Sequence, residues 1–409
     1  MDGSGTVRRG AGFGWRRAVA LLCWLMLAAP VAAQETLRVA SYNAALNRDA
    51  AGALVADLRG GTDPQARALA EIVQSVRPDI LLVNELDWDA AGEAAELFRS
   101  LYLATGQNGQ DGIEYPYMVA PPVNTGVASG IDLDGDGGVG GPGDAWGFGS
   151  FPGQYGFAIF SRWPIDADAM RSFQTLPWHA MPGNLLEAAD PKGAPLAGPD
   201  GFYGAEAAEA LRLSSKTHLD LPVLMGDARV HLLASHPTPP VFDGPEDRNG
   251  KRNHDETRFW ADYVEGAGWM TDDGGQAGGL PDGRRFVILG DLNADPFDGD
   301  STGNAIWQLL DHPLVLGSAT DPAITPAGEG SLDQPDETEN HRGDPRFDTA
   351  DFGRRPGNLR VDYVLPSRAG FQWRDGGVVW PREGMALAEA AQASDHRLVW
   401  VDLALVPLD

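Results

Sequence analysis

Apolar and polar positions along this chain follow two periods, and each change of period marks an element. Leu37-Arg38-Val39-Ala40-Ser41-Tyr42-Asn43 alternates and predicts a strand that ends on Asn43. Leu69, Ile72, Val73 and Val76 then recur at helical spacing behind Asp63 as N-cap and Pro64 in the first turn, predicting a helix from Pro64 to Val76. Arg77-Pro78-Asp79 ends that helix. Ile80-Leu81-Leu82-Val83-Asn84-Glu85 follows as a buried strand with a carboxylate at its end. Strand, helix and strand form a crossover unit that sets Asn43 and Glu85 at the same sheet edge.

The pattern continues downstream. Tyr155 to Arg162 reads as a strand, Ala205 to Arg212 as a short helix, and Leu221 to Asp227 with Val230 to His236 as a hairpin ending on His236. A helix capped by Asn253 or Asp255 buries Phe259, Trp260 and Tyr263. Phe286-Val287-Ile288-Leu289 is a buried strand broken by Gly290, which leaves Asp291 and Asn293 on one side of a still extended chain. A helix around Ile306 to Leu310 follows. Leu359 to Leu365 alternates as a strand with Asp362 and Val364 on one face. The last strand, Leu398 to Val406, is preceded by Ser394-Asp395-His396. Stretches at about residues 104–153, 171–201 and 319–358 are rich in Gly, Pro or Asp and read as insertions into one domain spanning residues 34–409.

Composition changes this picture at the N-terminus. Arg8, Arg9, Arg16 and Arg17 precede an apolar run from Ala18 to Ala29, and Val31-Ala32-Ala33 supplies small residues, so residues 1–33 read as a secretory signal peptide cut before Gln34. The expected location is secreted or periplasmic. No later stretch is long and apolar enough to anchor the mature chain. Cys23, the only cysteine, lies inside the signal, so neither a thiolate nor a disulfide serves the mature protein. Removing the signal takes four Arg and Asp2, leaving 27 basic against 57 acidic residues and a formal charge of −30. Such a surface repels polyanions and disfavours nucleic acid as a partner. It accommodates a small anionic substrate if a metal ion sits in the site.

Candidate chemistry gathers at strand ends: Asn43, Glu85, His236, Asp291, Asn293, Asp362, Asp395 and His396. So many carboxylates with two imidazoles are costly to assemble unless cations or hydrogen bonds compensate them. An oxygen-rich donor set favours a hard cation, Mg²⁺, Mn²⁺ or Ca²⁺, over zinc. Separately, Asp132-Leu133-Asp134-Gly135-Asp136-Gly137 carries acids at the first, third and fifth positions of a calcium loop, with Gly at the sixth. The acid expected at the twelfth position is replaced by Gly143, so a structural Ca²⁺ and a solvated acidic turn both remain open there.

Taken in order, Ser41-Tyr42-Asn43, Asn84-Glu85, Gly156 to Arg162, Ser235-His236, Gly290-Asp291-Leu292-Asn293, Arg360-Val361-Asp362-Tyr363-Val364 and Ser394-Asp395-His396 resemble the endonuclease/exonuclease/phosphatase superfamily. The resemblance runs from Leu37 to the C-terminus. It implies a DNase I-like four-layer α/β/β/α sandwich, in which two mixed β-sheets pack face to face between helices. It further implies a metal-dependent phosphoric ester hydrolase. Glu85 would be the principal metal ligand, with Asn43 and Asp395 close by. Asp291 would orient or deprotonate the attacking water, and Asn293 would hold that water or a phosphate oxygen. His396, paired with Asp362, would stabilise the transition state or protonate the leaving group, and His236 would bind the phosphate or assist the leaving oxygen. Arg162 reads as a structural partner. The substrate loops match less well, and Arg248, Lys251, Arg252 and His254 are either a phosphate-binding cluster or a solvated loop. The expected function is a secreted phosphoesterase acting on phosphate mono- or diesters, with an extracellular nuclease as the alternative and a non-catalytic calcium-binding module as a third.

Overall fold

A computed structural model describes residues 1–6, 10, 36–186, 202–244 and 246–408. The cationic and apolar run of the expected signal peptide lies outside the described residues, as does the 187–201 part of the second expected insertion. In chain order the elements are β1 (Thr36–Leu46), α1 (Ala53–Leu58), α2 (Pro64–Val76), β2 (Ile80–Leu86), α3 (Glu93–Leu97), β3 (Tyr117–Val119), β4 (Phe157–Ser161) and β5 (Arg171–Ser172). They continue with α4 (Gly204–Ala210), β6 (Leu219–Met225), β7 (Ala228–Ala234), α5 (Arg248–Val264), β8 (Arg285–Asp291), α6 (Trp307–Leu310) and α7 (Pro335–Thr338). β9 (Ala350–Asp351), β10 (Asn358–Leu359), β11 (Asp362–Pro366), β12 (Phe371–Val378) and β13 (Val399–Leu405) complete the chain.

The strands form two large mixed sheets, ordered β12-β13-β1-β2-β4-β3 and β11-β8-β7-β6-β5, and a separate β9–β10 pair. β1 runs parallel to β2 across the crossover through α2, and β7 runs parallel to β8. The period-two alternation decides which side each residue faces. In β1, Leu37 and Val39 enter the core between the sheets, while Ala40, Tyr42 and Ala44 face the cluster under α2. In β8, Val287 and Leu289 face the inter-sheet core, while Phe286 and Ile288 meet Phe259, Trp260 and Tyr263 of α5. Helix, sheet, sheet and helix therefore make four layers with three apolar seams, the expected α/β/β/α sandwich. Residues 35–409 form one compact unit. Among the described residues no helix is long and apolar enough to cross a membrane.

Three local expectations change. α5 begins at Arg248, so Asn253 and Asp255 lie buried within it rather than capping it. Asn253 donates to the carbonyls of Thr238 and Leu292, and Asp255 accepts from Trp178 Nε1 and Leu185 N. The expected single strand from Leu359 to Leu365 is split between β10 and β11, because Arg360 N turns to Asp295 and Val361 N to Thr349 Oγ1. The 104–153 stretch contributes the edge strand β3 to the larger sheet. Arg162 pairs with Asp79 at 2.9 Å, the structural role expected of it.

Candidate active site

The C-terminal ends of β1, β2 and β8 meet at one place because the two sheets face each other there. Asn43 Nδ2 donates to Glu85 Oε1 and to Asp291 Oδ2, each at 3.0 Å, and so joins carboxylates from opposite sheets. A second polar link crosses the same seam, where Asp291 N donates to Asn84 Oδ1 at 3.1 Å. Asn47 Nδ2 donates to Glu85 Oε2 at 2.7 Å, so both Glu85 oxygens are oriented by amides. Glu85 itself adopts a left-handed backbone with φ 57°, and Asn293 does the same with φ 52°. Strained backbone of this kind persists only where its surroundings enforce it, and two instances fall on site residues.

Gly290 explains how His236 reaches the site. Its φ of 148° and the approach of Ser235 O, which would lie 2.0 Å from any Cβ there, exclude a side chain. The end of β7 therefore closes on β8, and His236 Nε2 stands 3.4 Å from Asp291 Oδ2. Burial and the nearby Lys216 ammonium push the His236 imidazole below its ordinary pKa, against the pull of Asp291. His236 Nδ1 is buried and finds no partner among the described residues. Asn293 N donates to Asp291 Oδ1 at 2.9 Å, and its side-chain amide donates to Pro237 O at 3.1 Å.

On the other flank His396 Nδ1 lies 2.8 Å from Asp362 Oδ2, which also accepts from Thr349 Oγ1 at 2.9 Å. His396 Nε2 faces Asp291 Oδ2 at 3.7 Å. Ser394 Oγ donates to Asn43 O and accepts from His396 N, which fixes the imidazole's backbone to β1. β9 fixes it from outside through an Ala350–His396 bridge, and the Phe352 ring meets the His396 ring edge-on at 5.4 Å. Burial works against a charged His396, yet Asp362 and Asp291 prevail and push its pKa up to about 10. Asp362 is raised by burial, with Asp291 adding to the effect and His396 opposing it. Asp291 is held well below the usual carboxylate range because His396, His236 and Asn43 outweigh its burial. The two carboxylates thus differ in character although both are almost fully buried.

The donor set suits a divalent cation. Glu85, His236 and Asp291 each offer a ligand atom within 4.8 Å of the others, and so do Asp291, Asp362 and His396. Oxygen predominates, as a hard cation requires. Two expected ligands stand differently. Asn43 turns its NH₂ toward the carboxylates while its oxygen accepts from Ala45 N at 3.1 Å, so here it orients Glu85 and Asp291. The Asp395 side chain is exposed and lies outside both groups. At the separate acidic loop, Asp132, Asp134 and Asp136 bring one oxygen each within 4.8 Å of the others. Asp144 closes that loop by accepting from Leu133 N and Gly140 N.

The Arg248 to His254 cluster is structural. Arg248 pairs with Glu246, Lys251 donates to Glu246 O, Arg252 donates to the carbonyls of Leu213, Trp146 and Arg212, and His254 pairs with Asp255. None of these contacts involves the strand-end carboxylates.

Residues 40–396 match the family described as Endonuclease/Exonuclease/phosphatase family. The chain belongs to that family. Endonuclease/exonuclease/phosphatase proteins are metal-dependent phosphoric ester hydrolases with the DNase I-like fold. Solved structures similar to this chain include a family member from Beutenbergia cavernae DSM 12333, with 20% identity, 92% of this chain and 73% of that one covered, and a TM-score of 0.48. A family member from Leptotrichia buccalis C-1013-b has 12% identity, covers 90% of this chain and 99% of its own, and gives a TM-score of 0.45. Sphingomyelinase C from Streptomyces griseocarneus has 19% identity, with 90% and 99% covered and a TM-score of 0.43. No curated protein matches the sequence.

Within this endonuclease/exonuclease/phosphatase chain, several site residues carry no sequence signal. Asn47 sits in a loop after β1, and Thr349 and Phe352 belong to a stretch that reads as an insertion. Lys216 lies in Ser214-Ser215-Lys216-Thr217, a polar run with no motif. Only the folded chain brings them to the strand ends.

Proposed function

We propose that this chain is a secreted, metal-dependent phosphoesterase that hydrolyses small phosphate mono- or diesters by in-line attack of water. The observation that carries this reading is the convergence of Glu85, His236, Asp291, Asp362 and His396 within two overlapping ligand-distance groups. A cation held by Glu85 and Asp291, with His236 beside them, supplies charge neutralisation at the phosphoryl group. Asp291, kept ionised by its neighbours, orients the attacking water, and Asn293 holds that water or a phosphoryl oxygen. His396 keeps a proton on Nε2 for the leaving oxygen, while Asp362 fixes the ring through Nδ1. His236 meets the phosphate through its nitrogen on the Asp291 side. Positioning and electrostatics of this kind supply most of the acceleration in phosphoryl transfer.

The excess of 58 acidic over 31 basic residues favours a small ester over nucleic acid. In the same reading residues 1–33 direct export, and the Asp132 loop holds a structural Ca²⁺ whose addition raises the melting temperature. The test is a panel of aryl phosphate monoesters, aryl diesters, lipid phosphodiesters and plasmid DNA, each with Mg²⁺, Mn²⁺ or Ca²⁺. Hydrolysis of aryl esters that EDTA abolishes is the expected result. Nicking of plasmid without ester hydrolysis would replace it with the nuclease reading.

A further inference from the structure

Lys216 is the unexplained cation of the site. The chain has only three lysines among its 31 basic residues, and this one is 6% exposed. Its backbone is fixed on both sides: Ser215 N donates to Glu256 Oε1 at 2.6 Å, and Lys216 O accepts from Asn124 N at 3.0 Å. Glu256 accepts from Thr238 N through its other oxygen, also at 2.6 Å, and Ser215 Oγ reaches His236 O at 3.4 Å. The turn bearing Lys216 is thereby held against the segment bearing His236.

The side chain is not held in the same way. Glu256 gives both oxygens to backbone N–H groups, and among the described residues the Lys216 ammonium has no hydrogen bond and no ion pair. It nevertheless feels Glu256, Glu85 and Asp291, and is felt in turn by His236. Glu85 ends β2, Asp291 ends β8 and His236 follows β7, and the bonds that join Ser215 and Thr238 through Glu256, with Ser215 Oγ on His236 O, set the Lys216 turn beside those strand ends. A buried ammonium with no partner is costly, and such a group earns retention only if something else satisfies it.

We propose that Lys216 contacts a non-bridging oxygen of the substrate phosphate and biases the site toward dianionic phosphate monoesters. The inference rests on the phosphoesterase reading above. Attraction scales with ligand charge, so a terminal phosphate with two negative charges gains more from the ammonium than a diester with one. The compact ammonium suits one phosphoryl oxygen, whereas a guanidinium fork needs two acceptors.

The test compares wild type with Lys216→Met, Lys216→Gln and Lys216→Arg, using para-nitrophenyl phosphate, bis(para-nitrophenyl) phosphate and inorganic phosphate with Mn²⁺. Loss of the ammonium is expected to lower kcat/KM on the monoester by about thirtyfold or more and on the diester by less than about fivefold. Phosphate binding by calorimetry weakens about tenfold or more in the same variants. Lys216→Arg recovers part of both. The melting temperature stays level or rises, because the variants remove an unpartnered buried charge. Lys216→Gln keeps a polar end on a side chain one atom shorter and serves if Lys216→Met does not fold. Equal losses on both esters, or phosphate binding unchanged from wild type, would overturn the assignment. If wild type hydrolyses neither ester, the phosphoesterase reading fails. Phosphate calorimetry on wild type and variants then decides Lys216 alone, and indistinguishable binding overturns it.

Discussion

His396 and Asp362 meet through Nδ1 and Oδ2 at 2.8 Å, and that single bond fixes which face of the imidazole looks into the site. Asp362→Asn keeps the shape but removes the charge that holds His396 protonated. A fall in kcat of about a hundredfold or more is expected, with KM little changed, measured on whichever aryl ester wild type hydrolyses. Wild-type kcat in this variant would remove His396 from proton transfer.

Asn47 donates from Nδ2 to Glu85 Oε2 at 2.7 Å and so orients that carboxylate. Residues that orient a ligand tune metal affinity by about ten- to a hundredfold. Asn47→Ala is therefore expected to raise the cation concentration needed for half-maximal activity by about tenfold, with most activity regained at saturation. A titration of activity against Mn²⁺ or Mg²⁺ measures this directly.

Glu256 is fully buried and accepts from Ser215 N and Thr238 N, the two backbone segments that carry Lys216 and follow His236. Glu256→Ala leaves two buried N–H donors without acceptors. The expected cost is about 3 kcal/mol of stability, read from the denaturant midpoint at unchanged slope. A shift within error of zero would mean that the segments re-pair elsewhere.

Asp348 is buried and precedes Thr349, the residue whose hydroxyl bonds Asp362. Burial pushes its pKa up to about 8, with Asp295, Asp298 and Asp344 adding to the shift and Ser331 opposing it. Its folded pKa lies above the ordinary value of 3.8, so its contribution to stability is complete below that pH and is lost as pH rises toward about 8. Asp348→Asn removes the ionisation. Thermal melts are expected to show the variant gaining on wild type steadily between pH 4 and 8, with no further gain above about 8. A constant difference across that range would contradict the assignment.

The strand ends were legible because each has a local signature: an apolar or alternating run, then a polar residue where the run stops. Glu85, His236 and Asp291 lie where such a pattern puts them, within two residues of the ends of β2, β7 and β8, whereas β1 runs three residues past Asn43 and Asp362 opens β11 instead of lying inside a longer strand. Period two sorted β1 and β8 between two apolar seams, and helical spacing gave α2 its bounds. Element type and order follow from short-range sterics and burial, which the sequence encodes locally.

Distances between strand ends are long-range quantities, and tertiary structure alone decided them. Asn43 reads as a ligand, but its amide is turned by Ala45 N and bridges two carboxylates instead. Asp395 belongs to the same tripeptide as His396, yet the backbone bond from Asp351 N to Asp395 O leaves its side chain outside. Thr349 and Phe352 come to His396 because β9 bridges to it, and nothing in a Pro- and Asp-rich loop announces that pairing. Lys216 arrives through Glu256, forty residues away on α5. The sequence by itself determined the layers and the residues that end their strands. Packing of one sheet on the other decided which of those residues stand within ligand distance of one another, because burial is local but contact is not.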